Sequence, residues 1–121
     1  MNQKGANMVF IPEEKRRFPR IKVRLPLRYQ VRGTPEFNNV ITEDISLSGI
    51  GFASDKFIAP ATKVMLEINA LLHILTPIGR VAWTASSPHS DKYHSGVEFV
   101  QLDRNQKKYL QDFIGMQALR V

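Results

Sequence analysis

Ile21-Lys22-Val23-Arg24-Leu25-Pro26-Leu27-Arg28-Tyr29-Gln30-Val31-Arg32 decides how the rest of the chain is read. Six apolar residues alternate with six polar residues or proline, a strict period of two. In an extended chain successive side chains point to opposite faces, so this pattern predicts one long strand with a buried and a wet face. Pro26 falls among the outward residues, where its missing N–H is tolerated at an edge or bulge. Gly33-Thr34-Pro35 then predicts a turn.

Working outward, the same period recurs. Strands are expected over 39–46, 50–53, 63–69 and 93–100, and an extended stretch over 71–85 is interrupted at Thr76-Pro77-Ile78-Gly79. Leu47-Ser48-Gly49 is a tight connection whose glycine can take positive φ without penalty. Residues 55–62 and 86–91 read as loops. The C-terminus is the one helical segment, about 103–118. Asp103 and Gln106 have capping-box spacing, and Tyr109, Leu110, Phe113 and Ile114 form an apolar stripe, with Gly115 a candidate end or weak point. Residues 1–13 contain glycine and proline, show no sustained period, and predict a flexible arm before a domain over 14–121. The expected class is all-β: a six-stranded antiparallel barrel with a C-terminal helix.

Composition narrows the function classes. The 121 residues suit one domain with a modest core. There is no apolar run long enough to span a bilayer and no signal-peptide core, so a cytoplasmic protein without membrane insertion is expected. The absence of cysteine removes disulfides, thiolate metal sites and thiol nucleophiles. The net charge of +6 is concentrated: residues 1–32 hold nine Lys or Arg against Glu13 and Glu14, while the remainder is close to neutral. That field favours an anionic partner.

Two stretches carry candidate chemistry. In Lys15-Arg16-Arg17-Phe18-Pro19-Arg20, Pro19 opposes a helix, so three arginines sit on a stiff connector. Their planar forks suit phosphates and guanine edges, which accept paired hydrogen bonds. In Asp44-Ile45-Ser46-Leu47-Ser48-Gly49, regular alternation puts Asp44 and Ser46 outward and Ile41 and Ile45 inward. The carboxylate can accept hydrogen bonds from arginine or guanine N–H groups. The same residues also suit an Asx or Ser turn that closes a hairpin.

Together, and in this order, Arg16 with Arg20 (RxxxR) and Asp44, Ser46 and Gly49 ([D/N]xSxxG) resemble the PilZ domain family. Gly79-Arg80-Val81-Ala82-Trp83 and Gly96-Val97-Glu98-Phe99 look like its closing strands, so the resemblance runs from about 14 to 115. It implies a split-barrel type of fold that binds cyclic di-GMP on its outer surface, with no cofactor. Carried over, Arg16 and Arg20 would engage guanine Hoogsteen edges and phosphates, with Arg17 auxiliary. Asp44 and Ser46 would hold a base edge or lock the arginines, and Gly49 would leave room for the ligand. Lys15 stands where a family arginine can stack on a second, intercalated ligand molecule, which points to a 2:1 complex. The resemblance also implies an unidentified downstream protein, expected in motility, adhesion or exopolysaccharide machinery.

Other features are weaker. His73, His89 and His94 lack regular ligand spacing, so no metal is expected, and no catalytic constellation is evident, so no enzyme is expected. Trp83 is expected in the core. Two rival functions remain on the sequence alone. A basic barrel binding single-stranded nucleic acid would use Arg24, Arg28 and Arg32, but few aromatics interleave with them. A protein–protein adaptor of the same fold would not bind the nucleotide.

Overall fold

The alternating stretch from Ile21 folds as two strands, β1 (Ile21–Lys22) and β2 (Pro26–Val31), in the computed structural model, which describes residues 19–119. The arm expected over 1–13 and the residues Lys15, Arg16 and Arg17 lie outside that range. The inward set keeps its period, with Leu25, Leu27 and Tyr29 buried. The break has a local cause. At Val23–Leu25 a side chain enters the ladder: Leu25 N–H donates to Thr42 Oγ1 (2.9 Å), and that hydroxyl donates to the Val23 carbonyl (2.6 Å). Pro26 opens β2, where a missing N–H costs least.

The remaining elements are β3 (Asn38–Ile45), β4 (Gly49–Ser54), β5 (Lys63–Ala70), β6 (His73–Leu75), β7 (Ile78–Ser86), β8 (Tyr93–Gln101) and α1 (Arg104–Ala118). Pairing runs β2–β5–β7–β8–β4–β3 and back to β2, all antiparallel, which closes the six-stranded barrel the sequence predicts. β1 extends the ladder at the end of β3, and β6 adds to β5. Closure leaves the main strands without free edges. Inside, Tyr29 and Phe52 stack at 5.3 Å between centroids, and Leu66, Ile68, Val81 and Val97 fill the lumen.

Helix α1 plugs one end with Leu110, Phe113 and Ile114, as its stripe predicts. Asp103 accepts from the N–H groups of Asn105 (2.8 Å) and Gln106 (3.2 Å). The reciprocal half of the capping box does not form. The Gln106 carboxamide reaches across to Thr76 instead, its Oε1 accepting the Thr76 N–H at 2.8 Å. The helix runs through Gly115 to Ala118. Tyr109 ties it to the β5–β6 hairpin, donating to the Ala70 carbonyl (2.6 Å) with its ring 4.2 Å from His73. His73 is thus exposed and packed against the Tyr109 ring. Among the described residues no helix is long and apolar enough to cross a membrane.

Candidate functional site

Two single-residue bulges shape the outer face. In β3, Thr42 pairs with Phe52 and Asp44 with Gly51, so Glu43 is the extra residue. The insertion reverses parity within the strand: Ile41 points out and is 40% exposed, while Ile45 points in and is fully buried. Ile45 is inward as expected, whereas Ile41 is turned outward by the bulge, against the expectation. In β7, Val81 pairs with Val97 but Trp83 pairs with Gly96, which leaves Ala82 extra. Val81 is buried while Trp83 turns outward and is 44% exposed, against the expectation of a core residue.

The bulges assemble one cross-strand row on the outer surface: Lys22, Asp44, Gly51, Gly96 and Trp83, from β1 through β3, β4 and β8 to β7. The two glycines make a floor without side chains, and both are buried: the Asp44 carboxylate covers Gly51 and the Trp83 ring covers Gly96. A methyl group on Gly51 would lie 3.1 and 3.2 Å from the Asp44 carboxylate oxygens. One on Gly96 would overlap the Trp83 ring, 2.9 Å from Cζ2 and closer still to Nε1. Asp44 and Trp83 therefore lean over the floor from opposite sides. The Glu43–His94 contact (Nδ1–Oε1 3.0 Å) and the Arg80–Glu98 salt bridge border it.

Arg20 reaches Asp44, its Nη1 donating to Oδ1 at 3.4 Å, with both side chains a little over one quarter exposed. A pair this exposed and this long contributes at most about 1 kcal/mol to stability. Its value is positional, since it brings an arginine of the first stretch to the acid of the second.

Ser46 and Gly49 are placed differently from the expectation. Strand β3 ends at Ile45, and Ser46 folds under the connection with only 1% exposure. Its Oγ accepts the Ser48 N–H (3.1 Å) and lies 3.0 Å from Ser48 Oγ, and its N–H donates to the Gly49 carbonyl (2.9 Å). Ser46 is thus a turn residue, not an outward contact. Gly49 does not adopt positive φ; among the described glycines Gly33 alone does. A methyl group on Gly49 would run into the Val97 carbonyl oxygen, 3.1 Å from its carbon and 3.2 Å from Glu98 Cα. The missing side chain makes room for β8.

The family model for the PilZ domain matches residues 14–115. The chain belongs to the PilZ domain family. The fold of this PilZ domain is similar to three solved structures. They are the inhibitor of motility MotI/DgrA of Bacillus subtilis (20% identity, TM-score 0.72, 89% of this chain and 56% of that one), the PilZ domain of Escherichia coli YcgR with c-di-GMP (14%, 0.66, 88% and 92%), and the K. pneumonia MrkH–c-di-GMP complex (17%, 0.70, 88% and 53%). The chain spans about half the length of MotI and MrkH. No curated protein matches it in sequence.

Sequence reasoning misses Gly51 and Gly96 and misplaces Trp83. The available signal is a pair of glycines at outward strand positions, where no turn requires them.

Proposed function

We propose that this PilZ domain is a cyclic di-GMP receptor that binds the nucleotide on the row from Asp44 to Trp83. The observation that carries the reading is the contact of Arg20 with Asp44 beside a glycine floor. A guanine placed against the exposed face of the Trp83 ring, which the glycine floor seats, has an indole to stack on and the Asp44 carboxylate to accept its N1–H and N2–H groups. Arg20 is close enough to turn its fork to a Hoogsteen edge or a phosphate. The complexes of YcgR and MrkH with c-di-GMP support the ligand class.

Arg16 and Arg17 supply further guanidiniums from the segment before Pro19, and Lys15 is the position from which a second ligand molecule would be contacted. Ligand binding orders this segment against the barrel and changes the surface offered to a downstream protein, in the cytoplasm and without catalysis. Ser46 acts through the turn it closes, so Ser46→Ala weakens binding indirectly. The nucleic-acid alternative loses one of its three arginines: Arg28 lies 3.4 Å from Glu67 and over the Phe37 ring at 4.1 Å.

Calorimetric titration with cyclic di-GMP, GMP and a short oligonucleotide tests the proposal. Saturable binding of the cyclic dinucleotide alone is expected, lost in the Arg16→Ala/Arg20→Ala double variant. Binding that survives that double change overturns the assignment, and saturation at one ligand per chain removes the role given to Lys15.

A further inference from the structure

Away from the glycine floor, the outer surface of β3, β2, β5 and β6 carries a second cross-strand row: Ile41, Pro26, Asn69 and Ile74. Outward positions of a barrel are normally polar, yet three of these four are apolar, with Ile41 40% and Ile74 58% exposed. They line a groove of about 340 Å³ bordered by the Arg28–Glu67 pair. The row crosses three interstrand spacings, about 14 Å, which is the length of four or five extended residues.

The chain contains a segment of that length and chemistry. Ahead of Pro19 the longest apolar run is Met8-Val9-Phe10-Ile11-Pro12, uncharged and set between Asn7 and Glu13. We propose that this run seats in the groove of its own chain as an extended strap across the row. Reach allows it. Seven residues separate Pro12 from Pro19 and span up to about 23 Å. Ile21 lies opposite Ile45, four residues or about 13 Å along β3 from Ile41. The return path passes Arg24, which is exposed and lines the neighbouring hollow with Ile41. Tethering also favours this occupant, because an attached segment docks at a high effective concentration that a separate partner must match. Held at Ile41 on one side and at Arg20 on the other, residues 13–19 cross the outer face of β3. That keeps Arg16 and Arg17 within reach of Asp44, and the nucleotide then orders them there.

The test uses the full chain without nucleotide, so its outcome is separate from that of the receptor assignment. The lack of cysteine lets a single Asn7→Cys carry a nitroxide, read by amide NMR. Loss of signal at the amides of Ile41, Asn69 and Ile74 is expected, and its recovery in the Asn7→Cys chain that also carries Phe10→Asp. Loss confined to the Trp83 indole N–H would place the segment on the glycine floor and overturn the proposal. Loss that persists in Phe10→Asp also overturns it. Loss transmitted from unenriched spin-labelled chain to isotope-labelled chain in a mixed sample would make a second copy the occupant, with the same consequence. An unperturbed spectrum leaves the groove unoccupied and ends the idea.

Discussion

Replacing Gly49 with alanine separates a packing glycine from a ligand-facing one. The new methyl group would meet the Val97 carbonyl, with Val97 C at 3.1 Å and Glu98 Cα at 3.2 Å, all backbone atoms of a strand that cannot rotate away. Strands β4 and β8 must part locally by about 1 Å to restore an ordinary carbon–oxygen contact. Two hydrogen bonds flank the point of contact: Phe99 N–H to the Ser48 carbonyl (2.8 Å) and Ser46 N–H to the Gly49 carbonyl (2.9 Å). Their weakening costs about 1 kcal/mol each. Loosening Ile50 and Val97, which pair across the same strands, adds about 1–2 kcal/mol. The total is about 3–4 kcal/mol, a large share of the roughly 5–15 kcal/mol that holds a domain folded. Urea unfolding followed by circular dichroism should show the midpoint falling by about 1–2 M with an unchanged slope. Gly51→Ala is the control. Its methyl group meets only the Asp44 carboxylate, a side chain that can give way, so the expected loss stays below about 1 kcal/mol. A Gly49→Ala chain of wild-type stability that fails to bind nucleotide would refute the packing explanation and return Gly49 to the ligand.

Three further outcomes are expected. Thr42→Val keeps the shape of a fully buried side chain but strands the Leu25 N–H and the Val23 carbonyl, costing about 2–4 kcal/mol in the same urea assay. Leu71, at the tip of the β5–β6 hairpin, has φ +69 and is 65% exposed; Leu71→Gly relieves left-handed strain with little burial lost and should raise stability by about 0.5–1 kcal/mol, read as a melting temperature higher by about 3 °C. Gly96→Ala drives the Trp83 ring off its seat, so a shifted tryptophan emission and weaker cyclic di-GMP binding should appear together; unchanged emission would mean that the ring is not seated on Gly96.

The fold is legible because alternation is a property of residues taken two at a time, and most strands keep it. Leu25, Leu27 and Tyr29 are buried as their period demands, and Leu110, Phe113 and Ile114 are buried at helical spacing. The candidate site is legible only in part. Pairing the arginine-bearing stretch with the aspartate-bearing one predicts a contact that the Arg20–Asp44 bond provides. Parity fails wherever one residue is inserted. Glu43 and Ala82 carry no mark of a bulge, yet each reverses the facing of its neighbours, so plain alternation turns Ile41 inward and leaves Trp83 in the core. Ser46 departs for a different reason. Strand periodicity stops at Ile45, and in the turn beyond it backbone hydrogen bonds decide the side chain's direction.

The central claim is that Arg20 and Asp44, joined at the edge of the glycine floor, are two parts of one nucleotide site. Calorimetry of the full chain with cyclic di-GMP tests it most directly, run on the wild type, Arg20→Ala and Asp44→Ala with unfolding midpoints measured alongside. The account predicts saturable binding to the wild type and its loss in both variants, with stabilities within about 1 kcal/mol of the parent because the pair is exposed. Absence of binding to the wild type at high micromolar ligand, or wild-type affinity in either variant, would contradict it.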